Sequence, residues 1–310
     1  MVYICAVLKL QVLPQTATIS ARPGQWTLFK EITKFRLSVS VLFSSVAGYF
    51  LGADVVRFDL LSLLIVGGYC MVGASNVFNQ IIERDLDGLM ERTKSRPLPA
   101  GHITVNGALI LGVILTIIGL TALYWINPKT AMFGAISIFL YVSIYTPLKT
   151  KTPLAVFVGA FPGAIPFMLG WVAAQGSFGI EPGTLFMMQF FWQFPHFWAI
   201  GWFLDEDYKR AGFKMLPTGK RDKGTAIQIV LYSIWTAMTA LIPIAHKTGT
   251  LKMSLYSGFI VALLGIWLVW AAVRLYRLRT KIAARKLMLV SVAYLTLIQI
   301  IFIIDKYLIQ

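Results

Sequence analysis

The sequence contains few charged residues, and acids are the scarcer kind. Charged residues make up 13% of the 310 positions, whereas soluble domains carry about a quarter. Hydrophobic residues make up 57%, and the mean hydropathy is +0.73. So little polar surface excludes an ordinary soluble domain, and the composition predicts a protein solvated largely by lipid.

Cysteine is also scarce, because Cys5 and Cys70 are the only two. Two thiols without a metal-ligand spacing exclude a disulfide framework and a zinc site. The apolar stretch near Met1 is short, is interrupted by Lys9 and is not followed by a small-residue cleavage site. We therefore expect no cleaved signal peptide.

The chain is instead dominated by long apolar segments. Because a membrane-spanning helix needs about 20 mostly apolar residues, we predict an all-α, polytopic membrane bundle of nine transmembrane helices. The predicted spans are 34–52, 60–82, 105–125, 130–146, 153–173, 182–204, 225–245, 251–273 and 287–307. No long polar stretch divides the chain, so residues 1–310 are predicted to form one domain with an amino-terminal cytoplasmic segment, 1–30.

Basic residues are distributed unevenly between the connecting segments. Of the 28 Lys and Arg residues, 23 fall on the side of the amino terminus and the even-to-odd connections. The positive-inside rule places that side in the cytoplasm, and a bacterial inner membrane fits this pattern. Because the net charge of +15 follows the predicted topology, it argues against a nucleic-acid partner.

Nine of the 13 acids share this predicted cytoplasmic side, and six of them form two clusters at the ends of spans. Asn79, Glu83 and Asp87 recur at i, i+4 and i+8, so they share one face if the helix continues. The second cluster is the run Asp205, Glu206 and Asp207. Solvated helix ends with weak ion pairs are the alternative interpretation, but acids this close to a membrane favour a functional site.

The chemistry of these side chains suggests their ligand. Carboxylate and amide oxygens suit Mg²⁺, which proteins often hold jointly with substrate phosphates. Cations surround the two clusters, and they include Arg92, Lys94, Arg96, Lys149 and Lys209. Acids and cations beside an apolar interior fit a diphosphate with an apolar tail.

The segment 74–98, ASNVFNQIIERDLDGLMERTKSRPL, resembles the first acidic motif of the UbiA-type intramembrane prenyltransferases. Its ERTKSRP tail is similar to the protoheme IX farnesyltransferase (haem O synthase) branch. YTPLK at 145–149, PHFWA at 195–199 and EDYKRAG at 206–212 followed by MLP at 215–217 are similar to the same branch. The middle acid of the first motif is usually Asp and here is Glu83. The superfamily's second motif is absent because Lys209 follows Asp205 four residues later, which leaves the role of Asp205 open.

The resemblance implies transfer of a farnesyl group from farnesyl diphosphate to a vinyl group of haem B, giving haem O. It implies Mg²⁺ ligands at Asn79, Glu83, Asp87, Glu206 and Asp207. It further implies diphosphate-binding cations at Arg92, Lys94, Arg96, Lys149 and Lys209, with Tyr145 and Tyr208 as hydrogen-bond donors. A downstream haem-modifying enzyme is a candidate partner besides the lipid bilayer.

His196 is one of only three histidines. On an unbroken helix it would share a face with Asp207, about 16 Å deeper. The resemblance favours haem contact, and the alternative is a buried histidine hydrogen-bonded for packing. The aromatic run 190–198 is a candidate cavity wall, with ordinary packing as its alternative.

Two other functions remain open from the residues. A quinone precursor or another aromatic acceptor would use the same acidic motifs. A transporter would also have many spans, but it predicts internal repeats with acids near the middle of the membrane, whereas these acids cluster at one interface.

Overall fold

The computed structural model describes residues 23–309, and these residues form helices and turns with no β-strand. The all-α prediction is therefore confirmed for this part of the chain. Most of the predicted amino-terminal segment, 1–30, lies outside the described residues.

Twelve helices follow one another in the described residues. They are α1 (Gln25–Ile32), α2 (Phe35–Gly52), α3 (Phe58–Ile82), α4 (Arg84–Leu89), α5 (Val105–Ile126), α6 (Pro128–Phe139), α7 (Ala155–Gln175), α8 (Ile180–Phe203), α9 (Asp205–Arg210), α10 (Lys223–Thr239), α11 (Leu255–Leu278) and α12 (Lys281–Ile304). A π-helical segment (Leu140–Tyr145) and a single turn (Thr146–Leu148) extend α6. A 3-10 turn (Ile242–Ala245) follows α10, and a π-helical segment (Asp305–Ile309) follows α12.

Eight helical segments in the described residues are long and apolar enough to cross a membrane. They match eight of the nine predicted spans. The remaining prediction, 182–204, corresponds to α8, which is 24 residues long but is not one of these eight. The count of nine is therefore not confirmed, although the polytopic membrane architecture is.

Polar side chains fix where several helices begin. The side-chain oxygen of Asn127 accepts a hydrogen bond from the backbone N–H of Thr130 at 2.9 Å, and Pro128 occupies the first turn of α6. Both are favoured at helix starts because the first N–H groups lack helical partners. Further side-chain caps come from Thr104, Asp222, Ser254 and Thr280.

Glycine allows α2 and α7 to approach closely. A methyl group added at Gly48 would lie 1.9 Å from the carbonyl oxygen of Phe167, and one added at Gly170 would lie 1.9 Å from that of Ser45. Small residues at helix interfaces let backbones pack together in membranes. These two positions therefore tie the first long helix to the middle of the bundle.

The helix α7 contains Pro162 and Pro166, and its neighbours satisfy the backbone groups around them. The hydroxyl of Ser137 donates to the Pro162 carbonyl at 3.3 Å, the oxygen that Pro166 cannot pair because proline lacks an N–H. From α8, Gln189 accepts from the Phe167 N–H and Gln193 donates to the Ala160 carbonyl. The polar residues that make α8 less apolar thus serve the backbone of α7.

The long helices form a closed arrangement in which α8 packs against α7, α10 and α12, and α12 returns to α2. One end of the bundle carries the short helices α4 and α9 and connecting segments that hold 12 Lys and Arg residues. We call this the basic end, and define it by the connecting segments 83–104, 149–154, 204–222 and 279–280.

Candidate active site

Asn79, Glu83 and Asp87 lie together at the basic end. The helix α3 ends at Ile82 and α4 begins at Arg84, so the helix is not continuous through Glu83. Even so, the Glu83 N–H donates to the Asn79 carbonyl at 2.9 Å, and the Asp87 N–H donates to the Glu83 carbonyl at 2.7 Å. These i to i+4 bonds preserve the predicted stacking, and all three side chains are buried, with 1%, 4% and 1% of their surface exposed.

Each of these three side chains contacts a cation from elsewhere in the chain. The Lys149 ammonium lies 2.7 Å from a Glu83 carboxylate oxygen, and the Arg96 guanidinium lies 2.6 Å from one of Asp87. The Lys34 ammonium donates to the Asn79 amide oxygen at 3.1 Å. A buried carboxylate needs such compensation, because transfer of an isolated charge out of water is very costly.

The surroundings of Lys149 include two aromatic rings. Its ammonium lies 4.6 Å from the ring centre of Tyr145 and 5.8 Å from that of Phe213. Burial acts to lower the pKa of Lys149, but the charge and hydrogen bond of Glu83, together with Tyr141 and Tyr208, outweigh it and raise that pKa. Tyr145 is buried against Gly159, where an added methyl would lie 2.6 Å from the ring. The cation is thus held in its charged form beside the carboxylate.

The other predicted diphosphate cations are more exposed. Lys94 pairs with Glu91 at 2.6 Å, and both side chains face solvent. Arg92 lies 6.0 Å from the ring centre of Tyr208, so it connects the first acidic segment to α9. Lys209 is exposed and pairs with Asp205 at 2.9 Å. Of the five predicted cations, Lys149 and Arg96 are therefore the ones that contact the buried acids of the first segment.

The second acidic run separates into three different environments. Asp205 is 5% exposed and pairs with Lys209 and with Arg221, at 2.9 and 3.0 Å. Glu206 has a 59% exposed side chain and pairs with Lys281 at 2.6 Å, which lowers the pKa of Glu206. Asp207 pairs with Arg210 at 3.3 Å. The predicted ligand roles of Glu206 and Asp207 stay predictions, and their positions favour Asp205 as the buried acid of this run.

A cavity of about 220 Å³ lies beside Asp205, and its wall includes Tyr208, Lys209, Phe213 and Lys214. The wall is tied to the first segment through Lys149, which pairs with Glu83 and whose carbonyl accepts a hydrogen bond from the Lys214 N–H at 2.7 Å. Tyr208 and Phe213 also contact each other edge to face. The structure therefore brings the two acidic segments to one region of the basic end.

His196 lies in α8, deeper in the bundle. It is buried, its Nδ1 lies 2.9 Å from the Ser291 hydroxyl, and its ring stacks on Trp192 at 4.5 Å. The helix break between Phe203 and Asp205 interrupts the continuous face assumed for His196 and Asp207. The hydrogen bond between His196 and Ser291 matches the alternative interpretation, a buried histidine that is hydrogen-bonded for packing. Contact between His196 and haem stays a prediction.

The aromatic run does form a continuous cluster. Phe190 contacts Phe157 and Phe161 from α7, with ring centres 5.8 and 5.1 Å apart. Phe194 contacts Trp198 and Tyr232 at 5.3 and 4.5 Å. This cluster fills the space between α7, α8 and α10. Phe190 and Phe194 are buried within it, whereas Phe157 and Phe161 are exposed on the outer surface of the bundle.

Two functional candidates escaped the sequence prediction. Lys34 contacts Asn79 from 45 positions away, and Arg221 contacts Asp205 from the segment before α10. In the sequence, both are indistinguishable from the other basic residues that set the topology. Neither contact has a local sequence signal, because each depends on which long helices pack together.

The residues at the end of α3 fit Mg²⁺ by their chemistry. They offer two carboxylates and an amide oxygen, and Asp87 Oδ1 is buried with no hydrogen-bond partner in the described structure. Within residues 23–309, no group of three or more His, Cys, Asp or Glu side chains is arranged to hold a metal ion. Mg²⁺ takes few protein ligands in many sites and completes its shell with water and substrate phosphates.

Comparison with known proteins identifies the family. The UbiA prenyltransferase family matches residues 41–298. A protoheme IX farnesyltransferase from Christiangramia forsetii is 67% identical over 279 residues, which cover 90% of this chain and 93% of that protein. Another, from Flavobacterium psychrophilum, is 64% identical over 283 residues, with 90% and 94% covered.

Solved structures share the fold at low sequence identity. A digeranylgeranylglyceryl phosphate synthase superposes with a TM-score of 0.75 at 18% identity, covering 90% of this chain and 98% of that chain. A UbiA homologue from Archaeoglobus fulgidus bound to GPP and Mg²⁺ superposes with a TM-score of 0.69 at 14% identity, covering 89% and 99%. From the family match and these close relatives, the chain belongs to the UbiA prenyltransferase family.

Proposed function

We propose that this protein transfers the farnesyl group of farnesyl diphosphate to a vinyl group of protoheme IX, giving haem O. The observation that carries the proposal is the buried arrangement of Glu83 and Asp87, each opposed by a cation, in a chain 67% identical to a protoheme IX farnesyltransferase. Such a site combines groups for a metal and for a phosphate within one membrane bundle.

The diphosphate binds at the basic end, between the first acidic segment and the cavity beside Asp205. Lys149, Arg96 and Lys34 already lie next to the acids, so they are placed to contact phosphate oxygens. Arg92, Lys94 and Lys209 form a more exposed group of cations around them. Negative charge develops on the leaving diphosphate as the allylic carbon–oxygen bond breaks, and fixed cations stabilise it there.

Asn79, Glu83 and Asp87 would hold Mg²⁺, with Asp205 as the buried acid of the second segment. When bound, the ion supplies Lewis-acid stabilisation of the diphosphate oxygens. The unpaired Oδ1 of Asp87 leaves one buried oxygen for this purpose. Glu206 and Asp207 are the ligands implied by the resemblance, and their replacement tests that assignment.

The farnesyl chain extends from the basic end into the apolar interior. A carbocation that forms there must be kept from water until the acceptor reacts, and a packed helix bundle excludes water. The aromatic cluster around Phe190 and Phe194 supplies ring faces, which attract cations. His196 and Ser291 lie farther inside and form the proposed contact with haem.

The site is proposed to face the cytoplasm in a bacterial inner membrane, because the basic connecting segments surround it. In this orientation, the diphosphate is released on the cytoplasmic side of the membrane, where the basic segments also lie. A membrane-impermeant reagent for lysine should therefore label the basic end of the protein in inside-out vesicles and spare it in intact cells.

Mass spectrometry of the pigment tests the proposed activity. Membranes containing the protein are incubated with haem B, farnesyl diphosphate and Mg²⁺, and we expect haem to gain a farnesyl group together with a hydroxyl from water. Membranes carrying Asp87→Asn serve as the matched control. An unchanged haem mass would overturn the proposal. A parallel incubation replaces haem B with 4-hydroxybenzoate, and prenylation of that compound alone would identify an aromatic acceptor instead.

A further inference from the structure

A groove between α11 and α12 lies at the basic end, away from the acidic segments. Its volume is about 250 Å³, and its walls are Trp270, Ala271, Arg274, Ala283, Lys286, Leu289 and Val290. Ala271 and Ala283 are buried, and their small side chains leave the space open between the two helices. Five of the seven lining residues are apolar, and the other two are cations.

The cations and the apolar residues occupy different depths. Arg274 lies four residues before Leu278, the last residue of α11, and Lys286 lies five residues after Lys281, the first residue of α12. At a rise of about 1.5 Å per residue, the two lie roughly 6 to 8 Å from the helix ends. Trp270, Leu289 and Val290 lie about one turn deeper. The groove therefore has a charged level nearer the membrane surface and an apolar level inside it.

No acid neutralises the two cations of the groove. Residues 274–286 contain six basic residues and no acidic residue. Lys281 pairs with Glu206, whereas Arg274 and Lys286 form no ion pair within the described residues. The Arg274 guanidinium lies 5.3 Å from the ring centre of Trp270, which holds it over the groove.

We propose that this groove binds an anionic phospholipid, with the headgroup phosphate between Arg274 and Lys286 and an acyl chain along Trp270, Leu289 and Val290. Basic pockets between membrane helices near the surface attract anionic headgroups. Trp270 lies about one turn below Arg274 and contacts it, so it connects the charged level of the groove to the apolar level. The two exposed cations and the apolar floor match the two halves of such a lipid.

Native mass spectrometry of the delipidated full-length protein tests the proposal. We expect phosphatidylglycerol to be retained and phosphatidylcholine to be lost at the same activation energy. The double variant Arg274→Gln, Lys286→Gln should weaken phosphatidylglycerol binding by about thirtyfold, since each cation near a membrane surface contributes about five- to sixfold. The charge-preserving variant Arg274→Lys, Lys286→Arg should retain it.

The double variant Arg277→Gln, Arg279→Gln is the matched control. It also removes two positive charges near the end of α11, but both residues lie outside the groove. We expect it to weaken phosphatidylglycerol binding by less than about threefold. Equal retention of the two lipids, or equal losses in the two double variants, would overturn the proposal. Displacement of phosphatidylglycerol by inorganic phosphate or farnesyl diphosphate at similar concentrations would also overturn it, because the acyl chain would then contribute nothing. All of the substituted side chains are exposed, so the helix packing is preserved.

Discussion

The first and second acidic segments both follow a long helix at the basic end, but they place their carboxylates differently. In the first, Glu83 and Asp87 are both buried and each contacts a cation. In the second, Asp205 is buried, whereas Glu206 points outward to Lys281. The two segments have similar composition, so the difference comes from the spacing of the acids.

Helix geometry explains this difference. Residues four apart lie on one face of a helix, so both acids of the first segment point into the bundle. Consecutive residues are rotated by about 100° from each other, so three acids in a row cannot all face the same cavity. The second segment therefore has one buried acid, and its two neighbours remain accessible to solvent or to surface cations.

The largest effect should follow from neutralising the first segment. Glu83→Gln and Asp87→Asn keep the side-chain size but remove the charge, and each should lower turnover by about 100- to 1,000-fold, the usual cost of one preorganised electrostatic group. Turnover is measured as haem O formed per enzyme, with folding checked by size-exclusion chromatography. Asp85→Asn is the matched control, because Asp85 lies in the same short helix with an 84% exposed side chain. Near-normal turnover in both buried variants would remove the first segment from the site.

A smaller effect is expected from the second segment, and it should be confined to one residue. Asp205→Asn should lower turnover by about 10- to 100-fold, because it removes a buried charge beside the cavity. Glu206→Gln should change turnover by less than about twofold, because its exposed ion pair contributes little. Titration of Mg²⁺ in both variants shows whether the metal requirement changes. The opposite ranking would support the ligands implied by the family resemblance and contradict the assignment based on burial.

Much of the fold was predictable because membrane spans have a strong local signal. Long apolar segments predicted eight of the observed spanning helices, and proline and glycine did not obscure them. The helix α8 was also predicted, although Gln189 and Gln193 make it less apolar. Those two residues satisfy the backbone of α7, a role that depends on which helices pack together and has no local signal.

The candidate site was predictable only where it follows one helix. The four-residue spacing of Asn79, Glu83 and Asp87 is visible in the local sequence. Their burial agrees with the prediction that the three side chains share one helix face. Lys34 and Arg221 reach the acids through tertiary packing, so their charges were indistinguishable from those of the basic connections. For the second segment, the sequence prediction treated three consecutive acids as one set, whereas each has its own environment.

A variant deeper in α8 should separate the acceptor from the diphosphate end of the site. His196→Ala should lower the affinity for haem by about tenfold, which corresponds to loss of one well-placed contact of about 1.4 kcal/mol. It should leave farnesyl diphosphate binding within about twofold, because both acidic segments are unchanged. Haem binding is followed by absorption spectroscopy, and diphosphate binding by calorimetry. Reduced thermal stability with unchanged haem affinity would assign His196 to packing through Ser291.

The smallest effect should come from Lys281, and Lys149 provides the matched comparison. Lys149→Gln leaves Glu83 buried without its cation, which should lower turnover by about 100-fold. Lys281→Gln removes a cation from an exposed carboxylate and should change turnover by less than about twofold.

Near neutral pH, the pH dependence of activity should be unchanged in Lys281→Gln. Lys281 lowers the pKa of Glu206 from its ordinary value of 4.5, so any stabilisation from this pair is present above that value and is lost as the pH falls through the lowered pKa. Near neutral pH, Glu206 stays ionised with or without Lys281, and the pH–activity profile of Lys281→Gln should therefore match that of the unmodified protein. A profile displaced near neutral pH would mean that Glu206 contacts the reacting groups, and the two acidic segments would then be more alike than their burial indicates.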